Sequence, residues 1–290
     1  FPCHEEVLRY IEDFAREFKI IESIRFQTKV THVALECDEK WKVKYKKTSG
    51  DEGSETEDIY DAVVVCNGYF SQPKIADNVP GKLIDYLSIL YHQVVVLIGL
   101  SVSAIEISVE LTKVAKQVHL TARSATLAKF GQHHAFDNLW LHPMVYIYAA
   151  VLILSAFFDV IIHCNGYKYC FPFLHTGGVV TNDDNRVGPL YKHVFPPTSA
   201  PSLSFLGIPN MVLFTPSLSY VNNFPLYEFQ SKWIAGVLSK RLSLSSKDMM
   251  MQDIKGLYIE LEAKGAKKSD THKIHDFMVI SILLECAILS

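Results

Sequence analysis

The sequence is poor in cysteine and has neither an excess of basic charge nor an apolar run of membrane length. Each lack narrows what the chain can be. The six cysteines, at positions 3, 37, 66, 164, 170 and 286, include no C-x-x-C pair. Six in 290 residues is too sparse for a disulfide-stapled secreted module. They read as reduced, buried small side chains in a cytoplasmic protein. Lysine and arginine number 28 against 31 aspartates and glutamates, a net charge of −3. That balance argues against nucleic acid as a partner, which calls for a basic face. The longest apolar run, 144–158, would reach about 22 Å as a helix, short of the ~30 Å hydrocarbon core. Extending it to 162 buries Asp159 in lipid at roughly 2.5–3.5 kcal/mol, so no membrane role is expected.

Catalytic and metal signatures are also missing. There is no G-x-S-x-G elbow, so a serine hydrolase has no support. His133, His134 and His142 fit no zinc spacing. Asp183 and Asp184 lie outside any D-x-D-x-D-G calcium loop and read as solvated turn acids. No metal is expected, and no catalytic residue can be assigned. With 49% apolar and 20% charged residues, the chain has material for a core and is neither disordered nor collagenous.

What is present is periodic. Residues 5–18 place Val7, Leu8, Ile11, Phe14, Ala15 and Phe18 at three- and four-residue steps, which predicts an amphipathic helix. Glu5 and Glu6 suit its N-terminus. WKVKYKK at 41–47 alternates and predicts a half-buried strand, with a polar turn over 48–58. AVVVC at 62–66 predicts a strand buried on both faces, as in parallel sheets. Residues 171–225, rich in Pro and Gly, read as loops. Helices are expected over 227–239 and 247–262.

The most informative unit is 94–123. VVVLI at 94–98 is a buried strand that stops at Gly99. A helical segment follows, then a third strand, VHLTA at 118–122. A strand, turn, helix, strand unit of this length builds a doubly wound α/β sheet. Its turn, Gly99, Leu100, Ser101, Val102, Ser103 and Ala104, would present backbone N–H groups and a helix N-terminus to a pyrophosphate. The pattern is G-x-S-x-S-A in place of G-x-G-x-x-G, so a nucleotide site and an ordinary turn both remain open. Arg123, at the end of the next strand, suits a 2′-phosphate and favours NADP over NAD. The tetrapeptide Cys-Asn-Gly-Tyr occurs twice, at 66–69 and 164–167, each time after an apolar strand. Glycines there suit tight turns where backbone approaches backbone or ligand.

Several long stretches resemble flavin-containing monooxygenases, most closely the plant S-oxygenating branch. They are FPCHEEVLRYIEDFAREF, YDAVVVCNGYFSQPKIADNVPGK, VVVLIGLSVSAIEIS with VAKQVHLTAR, DVIIHCNGYKYCFPFL, VTNDDNRVGPLYKHVFPP and FQSKWIAGVLSKRL. The resemblance implies two Rossmann-like nucleotide-binding domains, the FAD domain incomplete and the NADP domain inserted into it. Residues 1–80 would be the remainder of the FAD domain, 81–158 the NADP domain, and 159–290 the return to the FAD domain with C-terminal helices. It also implies FAD and NADP as cofactors. The reaction would be NADPH- and O2-dependent oxygenation of a small thioether or amine, such as a methylthioalkyl glucosinolate, through a C4a-hydroperoxyflavin. Gly99 to Ala104 would bind NADP and Arg123 would meet its 2′-phosphate. Asn67, Gly68, Gly166 and Tyr167 would line the link between the two nucleotide domains, with Asn165 in place of the family's threonine.

The chain also departs from that pattern. The family's FAD-binding strand and G-x-G-x-x-G would precede Phe1. Its identifying motif is scrambled between 81 and 94, an apolar run replaces a polar hairpin at 144–158, 210–223 look inserted, and the tail after 277 is foreign. These breaks predict a truncated or mis-spliced product. The alternative to an active enzyme is therefore an inactive remnant with at most weak NADP binding and an unpaired sheet edge.

Overall fold

The computed structural model describes residues 3–48, 55–74, 91–122, 130–143, 158–211, 213–215, 218–220 and 224–274. In chain order the elements are α1 (His4–Glu17), β1 (Thr28–Leu35), β2 (Trp41–Lys47), β3 (Thr56–Tyr60), β4 (Val63–Val65), β5 (Gln72–Pro73), β6 (Val94–Ile98), α2 (Val102–Leu111), β7 (Gln117–Ala122), β8 (Gly131–Gln132), β9 (Leu139–Pro143), β10 (Val160–His163), β11 (Tyr167–Lys168), β12 (Leu174–His175), β13 (Thr181–Asp183), β14 (Arg186–Gly188), β15 (Leu203–Phe205), α3 (Phe224–Leu238) and α4 (Lys247–Ala263). They fall into two compact units. One comprises Phe1–Val63 and Phe171–Val179, the other Val64–Cys170 and Val180–Ser290.

In the first unit, α1 starts where Cys3 and Glu6 form a capping box, with the Cys3 N–H donating to Glu6 Oε2 at 2.8 Å. The expected apolar stripe forms, yet none of its residues is buried; Leu8 is 55% exposed and Phe18 63%. A four-stranded sheet runs in the order β12-β1-β2-β3. β1 and β2 are antiparallel and β12 joins β1 in parallel. Trp41 and Val33 are its buried anchors. The polar turn expected over 48–58 is shorter than predicted. β3 begins at Thr56, where Glu57 lies opposite Lys44 and opposite charges favour pairing to the β2 edge.

The second unit holds a five-stranded sheet in the order β10-β6-β7-β9-β8. β10, β6, β7 and β9 are parallel, and β8 is antiparallel to β9. The expected α/β class is therefore observed, with α2 as the crossover between β6 and β7. Val95, Val96 and Leu97 are fully buried on β6, an interior strand flanked by β10 and β7. Leu111, Ala115, Val118 and Leu139 complete this core. The Asn138 side-chain amide donates to the Thr112 and Ala115 carbonyls at 3.0 and 3.1 Å, satisfying groups at the end of α2.

Other expectations need correction. The run at 62–66 does form β4, but Val64 is 37% exposed. Its sheet contains only β4 and β15 among the described residues, too few layers to bury both faces. The cysteines are not uniformly buried: Cys3, Cys37 and Cys66 are exposed, Cys170 is half-buried and Cys164 is buried. The stretch read as loops contains several short strands, including the β13–β14 hairpin, whose turn places Asp184 and Asn185 at φ of 48° and 65°. Asp and Asn tolerate that left-handed region.

α3 buries Leu226, Trp233, Ile234 and Val237 on one face, with Trp233 packing edge-on against Phe195 at 4.9 Å. Ser246 caps α4, its hydroxyl accepting the Met249 N–H at 3.3 Å. Among the described residues no helix is long and apolar enough to cross a membrane, and residues 144–157 of the apolar run lie outside them.

Candidate functional site

The turn after β6 is built for close backbone contact. Gly99 has φ of +120°, and a Cβ there would stand 2.5 Å from the carbonyl oxygen of Cys164, at the end of β10. Only glycine satisfies both conditions. The Gly99 N–H donates to the Thr121 hydroxyl at 3.4 Å, tying the turn to β7. Leu100 packs against the unit's core. Ser101 is the N-cap of α2; its hydroxyl accepts the Ala104 N–H at 3.3 Å and lies 3.4 Å from the Cys164 carbonyl. Val102 opens the helix, Ser103 is exposed, and Ala104 is fully buried against the sheet. The first N–H groups of a helix lack intrahelical partners, and with the positive end of the dipole they attract an anion. Gly99 to Ala104 thus form a tight turn and a capped helix start, chemistry that is compatible with an anionic ligand such as a dinucleotide pyrophosphate. Arg123 lies outside the described residues.

The second part of the site is the meeting of the two Cys-Asn-Gly-Tyr segments. Both glycines are left-handed, Gly68 at φ +76° and Gly166 at +79°, and a Cβ on either would meet nothing within 4 Å. Glycine is needed there for the turn and leaves open space beside it. β5, just after the first segment, and β11, which starts at the last residue of the second, pair antiparallel with Tyr167 opposite Pro73. The Lys74 N–H donates to the Gly166 carbonyl at 2.8 Å, and the Asn67 amide donates to the Cys170 carbonyl at 2.9 Å. Tyr69, Phe70, Tyr167 and Tyr169 cluster around this crossing; Tyr69 and Tyr169 are 4.4 Å apart and Phe70 and Tyr167 5.3 Å. Burial pushes the Tyr69 phenol upward from its usual value.

The structure thus joins the two parts through Cys164, which contacts the Gly99 turn and begins the second tetrapeptide. The sequence reading missed the hairpin that closes the crossing. Asn185 in the β13–β14 turn is 4% exposed and bonds both Tyr167 and Tyr169. Its only sequence signal was the Asp-Asp-Asn turn, read as solvated acids.

The histidines behave differently from a metal cluster. His142 Nε2 lies 2.9 Å from His119 Nδ1 on neighbouring strands, while His133 stacks on His134. Burial, then the neighbouring His142, pushes the His119 pKa down to about 4. No group of three or more His, Cys, Asp or Glu side chains among the described residues could hold a metal ion.

Comparison with known proteins accounts for this combination. A family model described as flavin-binding monooxygenase-like matches residues 1–134 and 150–287. The chain belongs to the flavin-binding monooxygenase-like family. Among its relatives is Arabidopsis thaliana flavin-containing monooxygenase FMO GS-OX-like 2, 45% identical over 95% of this chain and 61% of that protein. FMO GS-OX5 of Arabidopsis thaliana is 43% identical over 94% of this chain and 60% of its own length. The chain therefore spans about three-fifths of the curated relatives it matches. S-allyl-L-cysteine S-oxygenase from Allium sativum superposes with a TM-score of 0.85 at 42% identity, covering all of this chain and 67% of that one. Tmm from Pelagibacter superposes at 0.75 with 20% identity, a likeness of fold.

Proposed function

We propose that this chain carries the NADP-binding part of an FAD- and NADPH-dependent monooxygenase that transfers oxygen from O2 to a soft nucleophile, a thioether sulfur before an amine nitrogen. The observation that carries the reading is the Gly99–Ala104 cradle, with Gly99 against Cys164 and Ser101 capping α2. Family membership supplies the flavin chemistry, and the Allium sativum relative, named for an S-allyl-L-cysteine substrate, supports the choice of sulfur.

In this reading each group has a physical task. The Val102 and Ser103 N–H groups at the start of α2 hold the NADP pyrophosphate. Arg123 would supply the positive charge that meets the 2′-phosphate. Asn67, Gly68, Gly166 and Tyr167 leave backbone space where the cofactors approach each other. FAD, when bound, would supply the hard chemistry, in which NADPH and a proton reduce O2 so that one oxygen atom goes to sulfur and the other leaves as water; the protein's part is to position the reactants and keep bulk water out. We assign the FAD domain to 1–80 and 159–290, the NADP domain to 81–158, and the protein to the cytoplasm, where cysteines such as the five among the described residues, all free, are at home.

A second reading is favoured by one observation: no G-x-G-x-x-G occurs in the 290 residues. In it the chain as it stands binds NADP and does not turn over. Purified chain supplied with FAD separates the two. Retained flavin absorbance and NADPH oxidation that rises with added S-allyl-L-cysteine support the first reading. NADP binding with no retained flavin supports the second. No binding of either nucleotide overturns both.

A further inference from the structure

The β13–β14 hairpin closes the aromatic crossing, and its turn sends a side chain into the interior. Asp184 and Asn185 occupy the left-handed pair of positions. Asp183 stays outside, paired with Lys268 at 2.5 Å. Asn185 turns inward and is 4% exposed. Its Oδ1 accepts the Tyr169 N–H at 3.2 Å. Its Nδ2 donates to the Tyr167 carbonyl at 2.9 Å and lies 3.5 Å from the Tyr69 hydroxyl. One amide therefore holds the main chain on both sides of Lys168 and reaches the tyrosine of the other tetrapeptide. A second hairpin residue, Asn182, donates to the Tyr169 carbonyl at 2.6 Å.

We propose that Asn185 is a positioning residue that keeps the two Cys-Asn-Gly-Tyr turns docked on each other and so sets where Gly68 and Gly166 present their open faces. The chemistry fits asparagine and no other residue. The position needs a left-handed backbone, one acceptor for the Tyr169 N–H and two donors for the two oxygens. Aspartate meets the first two needs and cannot donate. Glycine meets only the first. The pairing of β5 with β11 covers two residues, and the Asn185 amide adds to the Asn67–Cys170 and Lys74–Gly166 bonds as one of the few polar ties that hold the crossing. Its consequence for turnover rests on the monooxygenase reading above; its consequence for the crossing does not.

The test uses the full chain with Asn185→Gly and Asn185→Asp. Hydrogen exchange is read at the amides of Tyr169 and Lys74. The Lys74 N–H bonds Gly166, not Asn185, so it reports the docking rather than the lost bond. Exchange at both amides is expected to speed up about tenfold in Asn185→Gly, with Asn185→Asp retaining protection at Tyr169 and losing it at Lys74. NADP affinity at the Gly99 turn should stay within about twofold. Where the wild-type chain turns over, kcat should fall at least tenfold with the NADPH KM little changed. Unaltered exchange at Lys74 in Asn185→Gly overturns the inference whatever the activity. A wild-type chain that binds NADP without turnover, but with Lys74 deprotected in the variant, favours the second reading above over the first and leaves the docking role established.

Discussion

Gly99 faces the main-chain carbonyl of Cys164 so closely that a methyl group between them would sit 2.5 Å from the oxygen. This contact fastens the turn after β6 to the end of β10, where the second Cys-Asn-Gly-Tyr segment begins. The candidate phosphate cradle and the aromatic crossing thus meet at Cys164.

Gly99→Ala should be among the most damaging small substitutions in the chain. It sets an L-residue at φ +120° and drives its Cβ into backbone that cannot yield as a flexible side chain would. A cost of about 1–3 kcal/mol for the conformation alone is expected, with the clash in addition. Thermal unfolding should show the loss, and NADP titration of the surviving folded fraction should show weaker binding.

Ser101→Ala removes the α2 cap and should cost about 0.5–2 kcal/mol, whereas Ser101→Gly should cost only a few tenths. Denaturant melts of the two variants, read side by side, check the cap against simple loss of a side chain.

Leu97→Ala empties a fully buried position in β6, an interior strand of the parallel part of the sheet. A loss of about 2–5 kcal/mol is expected. For comparison, Leu8→Ala on the exposed α1 face should change stability by about 0.5 kcal/mol or less.

Acid should destabilise the chain in a defined window. Burial, then the positive charge of Lys192, holds His193 at a pKa of about 4, and burial, then His142, holds His119 at about 4. His272 is pushed down as well, by burial and then by His193, whose Nδ1 lies 2.9 Å from its own. Its Nε2 accepts the Val187 N–H at 3.0 Å. Each group binds fewer protons in the folded than in the unfolded chain between the ordinary histidine value of about 6.5 and about 4. Stability should therefore be flat above pH 7 and fall as pH drops from 6.5 toward 4. His193→Asn should flatten part of that slope, as chemical denaturation at several pH values would show.

Sequence patterning disclosed the parts of the fold that local physics controls. VVVLI followed by Gly99 and an Ala/Ile/Leu-bearing segment leaves few options besides a buried strand, a tight turn and a helix. The capped, amphipathic α1 was equally plain as a helix. That its apolar face is uncovered could not be read, because exposure depends on what packs against it. Val64 and the exposed cysteines escaped for the same reason. The repeated Cys-Asn-Gly-Tyr was visible, but its two copies lie nearly a hundred residues apart and their pairing is tertiary. Asn185 was the least legible: a polar residue in an acidic turn reads as solvent-facing, and only the folded hairpin turns it inward.

The cradle is tested most directly by titrating the purified chain calorimetrically with NADP and, separately, with NAD. The account predicts saturable NADP binding, at least about tenfold tighter than NAD, that is weakened by Ser101→Ala and by Arg123→Ala. Equal affinity for the two nucleotides, or NADP binding indifferent to both substitutions, would contradict it.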